Sequence, residues 1–165
     1  MNLSAFVQAL SECKAAGKIR NAGVSNFAVK HLVELEGLGS PIANNQIQFN
    51  PFEPERAIET FNYCAEKGIT ITAYSPLGGL MDRDKAEAND VLNSLAEKYG
   101  KRVSAVMLRW ALQRGCAVIP GTGDPKHMEE NLAIYNFELS DDDMETINGL
   151  KNLVKGFSTD VRDFA

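Results

Sequence analysis

At 165 residues, 44% of them hydrophobic, the chain is long enough to bury a substantial core and falls within the range of one domain. Its 17 basic and 22 acidic residues give a net charge of −5 with no conspicuous run of Lys and Arg, which excludes a protein that binds by neutralising nucleic-acid phosphates. No stretch approaches the roughly 18 apolar residues of a membrane span, no signal-peptide pattern opens the chain, and Cys13, Cys64 and Cys116 read as reduced buried thiols, so a soluble cytoplasmic protein is expected.

In chain order, Leu3, Phe6, Val7, Leu10 and Cys13 fall at helical spacing, and Gly17 suits a left-handed cap at the end of that helix. Ile19 to Ser25 reads as a strand, and Ala28 to Glu36 as an amphipathic helix closed by Gly37 and the Gly39-Ser40-Pro41 breaker. Asn45 to Phe49 is expected to be a strand that leads through Asn50-Pro51 into a helix over Glu55 to Lys67. Ile69 to Tyr74 is the third strand. Two helices follow, over Asp90 to Tyr99 and Ser104 to Arg114, ended by Gly100 and Gly115. A fourth strand over Ala117 to Ile119 precedes a helix near Lys126 to Ala133. Ser140 with Asp143 three residues on approximates a capping box, which predicts a last helix over Asp141 to Leu150 with its acidic turn at the positive end of the dipole. The domain is expected to span residues 1–150, with 151–165 a tail of weak periodicity.

Strands that alternate with helices, and near-continuous apolar runs such as Ile69-Thr-Ile-Thr-Ala-Tyr74, predict an α/β protein with crossover helices and a parallel sheet. Two architectures fit this pattern: a small doubly wound open sheet, or four of the eight βα units of a TIM barrel.

The segment Gly17-Lys-Ile-Arg-Asn-Ala-Gly-Val-Ser-Asn-Phe27 is followed by Asn45-Gln-Ile-Gln-Phe-Asn-Pro-Phe52 and Ile71-Thr-Ala-Tyr-Ser-Pro-Leu-Gly-Gly79. Val118-Ile-Pro-Gly-Thr122 and Glu130-Asn131-Leu132 come after them. In that order and spacing the motifs resemble those of the aldo-keto reductase superfamily, over residues 2 to 150. The resemblance implies half of a (β/α)8 TIM barrel: strands five to eight, four parallel strands with flanking helices.

It also implies a cofactor, NADP or NAD. The residues matching Ser25, Asn26 and Gln46 hydrogen-bond the nicotinamide carboxamide in similar enzymes, and the residue matching Tyr74 stacks on the ring. The loop Ser75-Pro-Leu-Gly-Gly79, with Leu77 and Gly78, corresponds to the stretch that passes under the pyrophosphate, where glycines would let backbone N–H groups approach an anion. Glu130 and Asn131 match the pair that contacts the adenine. Many family members place a Lys and an Arg against the 2′-phosphate; this chain has Gly121 and His127 there, leaving Thr122 and Lys126 as the groups available to a phosphate.

In a TIM barrel the site lies at the C-terminal ends of the strands, where Ser25, Asn26, Gln46, Tyr74, Ser75, Gly121 and Thr122 are expected to converge. The family's catalytic Asp, Tyr, Lys and His belong to strands that would precede residue 1, so no catalytic residue is assigned and the isolated chain is expected not to reduce carbonyls. Tyr63, Tyr99 and Tyr135 fall in or beside helices, away from the expected site.

Each of these residues also has a purely structural reading. Ser25 and Asn26 suit an N-cap, Gln46 and Tyr74 suit strand ends, and Gly78-Gly79 suits a turn. His31 reads as a solvated surface histidine and Trp110 as a packing residue. Asp141-Asp-Asp143 lacks calcium-loop spacing and suits a first helical turn, so no metal is assigned.

In a half-barrel, Ile47, Phe49, Ile69, Ile71, Ala73, Val118 and Ile119 are expected to point toward the missing half and leave an apolar face exposed. That expectation calls for a homodimer or for a separate chain that supplies the first half-barrel, unless the reading frame is a truncated part of a longer protein. Three functions follow: an oxidoreductase half, a non-catalytic nicotinamide-binding protein, or a scaffold or interaction protein.

Overall fold

The computed structural model describes residues 3–39, 42–53, 55–78 and 86–153; Ser40-Pro41, Gly79 and the tail past residue 153 lie outside them. Helix α1 (Leu3–Ala15) ends where Gly17 turns the chain at φ 67°. Three βα steps follow: β1 (Ala22–Ser25) and α2 (Val29–Gly37), β2 (Ile42–Gln48) and α3 (Glu55–Glu66), β3 (Thr70–Tyr74) and the two helices α4 (Ala86–Tyr99) and α5 (Val103–Gln113). Then come β4 (Ala117–Val118), α6 (Pro125–Leu132) and α7 (Asp141–Asn148).

All strands are parallel, and each pairs with its neighbour in sequence, in the order β1-β2-β3-β4. A doubly wound sheet reverses its strand order at a switch point; this one does not, as in a contiguous arc of a (β/α)8 barrel.

Burial alternates along the strands with period two. Register aligns Val24, Asn45 and Ile71 in one row and Ile47, Ala73 and Val118 in another. These rows face the helices, and their buried members join Leu35 of α2, Phe61 and Cys64 of α3, Leu92 of α4, Trp110 of α5 and Ile147 of α7 in one core. Full burial of such a side chain contributes about 1.5–3 kcal/mol. Ser25, Gln46 and Thr72 form a row on the opposite face, flanked on β2 and β3 by Asn44 with Thr70 and by Gln48 with Tyr74.

The open face is therefore polar, which corrects the expectation of an exposed apolar one. Ile47, Phe49, Ile71 and Ala73 have at most 3% of their surface exposed and lie on the helix side. Ile69 and Val118 pack against the same core, and of the seven only Ile119, at 48%, is exposed. Thr70 and Thr72 break the run in β3, as Asn44, Gln46 and Gln48 do in β2, so each strand has one apolar face instead of two.

Other local expectations also change. The first strand starts at Ala22 and not at Ile19. Neither Ser25 nor Asn26 caps α2: its N-cap is Ala28, whose N–H donates to His31 Nδ1 at 3.1 Å. His31 is half-buried with its ring edge against Phe27, 5.4 Å between centroids, and so is more than a solvated histidine. Helix α6 starts at Pro125 behind an Asp124 cap and passes after Leu132 into a 3-10 turn, Ala133–Asn136. Helix α7 is shorter than expected, and Gly149–Leu153 forms a second 3-10 turn. Trp110 packs as expected, 1% exposed, with its Nε1 donating to Asn148. Cys64 and Cys116 are buried, which pushes both thiols up, that of Cys116 to about 12; Cys13 is only half-buried. No helix among the described residues is long and apolar enough to cross a membrane.

Candidate functional site

The carboxyl ends of β1 and β3 are followed by two residues in the left-handed region, Asn26 at φ 60° and Ser75 at φ 45°. They are the only non-glycine residues with positive φ among the described ones, and such conformations cost on the order of 1–3 kcal/mol each. Hydrogen bonds hold this geometry. Gln46 O accepts from both Ser25 Oγ, at 3.0 Å, and Asn26 N–H, at 2.9 Å. The buried Asn45 side chain pins the next residue, donating to Phe27 O at 2.8 Å and accepting from its N–H at 3.4 Å. Tyr74 Oη donates to Asn26 Oδ1 at 3.0 Å, which ties the ends of β1 and β3 across the sheet.

Ser25, Asn26, Gln46 and Tyr74 are thus brought together on the open face. The Gln46 side chain lines a groove of about 480 Å³ beside β1 with Phe6, Asn44 and Phe27. The Tyr74 hydroxyl is engaged with a neutral amide, an arrangement that fixes the ring's orientation.

From this cluster the Ser75–Gly78 turn leads away, closed by Gly78 N–H donating to Ser75 O at 3.0 Å. Buried Asn50 backs the turn: its Nδ2 donates to Ser75 O at 3.3 Å and to Glu53 Oε1 at 2.6 Å, and its Oδ1 accepts from Phe52 N–H at 3.0 Å. Glycine is required at 78 on two counts, its φ of 46° and the closeness of Asn50.

Leu77 then enters a cleft of about 740 Å³ between the α4–α5 pair and the segment after β4. Gly121, Thr122, His127, Glu130 and Asn131 all line it. Thr122 Oγ1 accepts from Asp124 N–H at 3.1 Å, and His127 Nε2 stands 3.9 Å from Asp124 Oδ2. Lys126 is exposed and is not among the lining residues.

The sequence reading missed the opposite wall, where Asn89, Lys101, Arg102 and Ser104 line the cleft. Arg102 Nη1 is 2.7 Å from Glu130 Oε2, an ion pair between the two walls. Asn89 Oδ1 is buried without a hydrogen-bond partner. The signal for this wall was the length of the crossover between β3 and β4: a second helix there brings the Lys101-Arg102 pair alongside the α6 segment. Among the described residues no group of three or more His, Cys, Asp or Glu is arranged to hold a metal.

A parallel sheet in sequence order, helices on one face and polar side chains gathered at the strand ends define an arc of a (β/α)8 barrel with its site at the carboxyl edge. Residues 2–152 match the model of the aldo/keto reductase family, and the chain belongs to that family. It is 41% identical over 147 residues to a glyoxal reductase of Bacillus subtilis, covering 87% of this chain and 50% of the relative. Aldose reductase B of Dictyostelium discoideum is 37% identical over 82% of this chain and 43% of the relative, and D-galacturonate reductase of Fragaria ananassa is 32% identical over 91% and 48%. The crystal structure of a thermostable aldo-keto reductase in complex with the inhibitor epalrestat superposes with a TM-score of 0.81 at 28% identity. That alignment covers 91% of this chain and 55% of the other. The chain spans about half the length of the curated relatives it matches.

Proposed function

We propose that the chain is the cofactor-binding half of an aldo-keto-reductase-type oxidoreductase. In this reading Ser25, Asn26 and Gln46 hold the nicotinamide carboxamide and Tyr74 lies against the ring. The Ser75–Gly78 turn, with Leu77, carries the pyrophosphate, and Gly121, Thr122, His127, Glu130 and Asn131 receive the adenosine end. The single observation that carries the proposal is the Tyr74–Asn26 hydrogen bond, which holds an aromatic ring beside unspent amide groups at the carboxyl edge of the sheet. The donor set suits the group: a carboxamide needs a donor and an acceptor, and the orphaned Asn89 Oδ1 in the second cleft offers an acceptor to an amino group.

Aldo-keto reductases use nicotinamide cofactors, which when bound supply a hydride for carbonyl reduction. The residues of this chain bind and orient. Tyr74 is tied to Asn26, Tyr63 to Glu36 and Tyr99 to Asp143 and Ser140, so these phenols serve the scaffold and not proton delivery. The acid that protonates the developing alkoxide comes, in this proposal, from a complementary half-barrel of different sequence; a homodimer of this chain would cover the sheet edges but bring no such acid. Alone, in a cytoplasmic setting, the chain binds cofactor without reducing carbonyls.

Calorimetric titration of the chain with NADPH and NADH, each repeated with Tyr74→Ala, tests the site. Micromolar binding of at least one cofactor, weakened at least about tenfold in the variant, is expected. Binding of neither would leave a scaffold or interaction protein.

A further inference from the structure

Among the described residues the cleft presents three formal charges besides His127: Lys101, Arg102 and Glu130. Glu130 and Arg102 neutralise each other across 2.7 Å. Lys101 has no carboxylate within ion-pair distance among the described residues, and its Nζ rests 5.2 Å from the centre of the Phe137 ring. Phe137 is not among the described residues that line the cleft; its ring leaves the ammonium's charge uncancelled, so that it can act on an anion in the cleft that Lys101 borders. Among the described residues no free carboxylate lines the cleft. That matters because an acidic side chain is a common means of holding an unphosphorylated 2′-hydroxyl, as in doubly wound dinucleotide sites, and the one acid among the described lining residues is already held by Arg102.

We propose that Lys101 determines cofactor choice: from the α4–α5 wall it reads the 2′-phosphate, so that the chain selects NADP over NAD although Gly121 and His127 offer no strong cation on the opposite wall. The inference rests on the nicotinamide-binding reading and extends it to specificity. Arg102 acts as a positioning residue, removing the repulsion that an unpaired Glu130 would exert on a phosphate. Thr122 and Ser104 place hydroxyl groups on the two walls of the same cleft. Lys126, the cation nearest in sequence to His127, is exposed outside the lining and takes no part.

The test is calorimetric titration of the full chain with NADPH, NADH and 2′,5′-ADP, in the native form and in the Lys101→Gln and Lys126→Gln variants. Thermal unfolding of each variant checks that it is folded; both positions are solvent-accessible. The native chain should bind NADPH at least about tenfold more tightly than NADH. Lys101→Gln should weaken NADPH and 2′,5′-ADP by about tenfold or more and leave NADH within about twofold, while Lys126→Gln leaves all three unchanged. An unaltered NADPH-to-NADH ratio in Lys101→Gln, with both dinucleotides bound, overturns the inference and leaves the cofactor-binding reading intact. Binding of 2′,5′-ADP that depends on Lys101, with neither dinucleotide bound, supports the phosphate assignment and removes the nicotinamide site. Loss confined to Lys126→Gln, or no binding of any of the three, overturns it.

Discussion

A methyl group added at Gly78 would overlap Oδ1 of Asn50, which is fully buried and cannot swing aside without giving up its bonds to Glu53, Phe52 and Ser75. The backbone there is left-handed as well, so Gly78→Ala is expected to destabilise by about 2–4 kcal/mol in urea unfolding. Gly37→Ala provides the contrast. Gly37 lies exposed in the last turn of α2 with nothing within 4 Å of the added carbon, and the same change there is expected to stabilise by up to about 1 kcal/mol. Equal effects at the two sites would show that the Asn50-backed turn is softer than its geometry indicates. The motif containing Gly78 was legible in the sequence, but the reason for the glycine was not. Asn50 lies 28 positions earlier in the chain, and only folding sets its amide beneath the turn.

At the scale of elements, the start of α7 gathers a polar cluster around Asp143. Asp143 accepts from Lys98 Nζ at 2.8 Å, from Ser140 Oγ at 2.6 Å and from the Tyr99 hydroxyl. Burial opposes its ionisation, but the hydrogen bonds from Lys98, Ser140 and Tyr99 prevail and bring the carboxyl to about 2. A folded-state value below the unfolded one means that its stabilisation is fully present above about pH 4 and is lost as the pH falls toward 2. Asp143→Asn is therefore expected to flatten the acid limb of a stability–pH profile and to cost on the order of 1–3 kcal/mol at pH 7; an unchanged limb would assign acid sensitivity to other carboxylates. The capping signal at Ser140 was readable from sequence, yet Ser140 N–H goes to Tyr99, 41 residues away, instead of to Asp143. The seven α-helices and four strands among the described residues were legible from spacing and breakers. What was misread was sidedness: Ile69-Thr-Ile-Thr-Ala-Tyr74 looked like a strand buried on both faces, whereas its threonines mark the wet one.

For the whole molecule, the polar open face changes what a partner would recognise. The sheet ends in the free edges of β1 and β4, and closing a barrel would satisfy those edges and cover Gln46, Gln48 and Tyr74 without forming a second apolar core. Association with a second copy or a complementary half-barrel is thus expected to slow hydrogen exchange at the β1 and β4 edge amides first, with only a small heat-capacity change; a large negative one would point to an apolar interface elsewhere. Every strand of this half rests on its own helices, so the apolar interior lies wholly on one side of the seam along which a full barrel would close. A barrel organised this way can be divided like a vault along its mortar line: the cut severs backbone hydrogen bonds and leaves every keystone in place. The two halves can then be gained, exchanged or encoded apart without redesign of either interior.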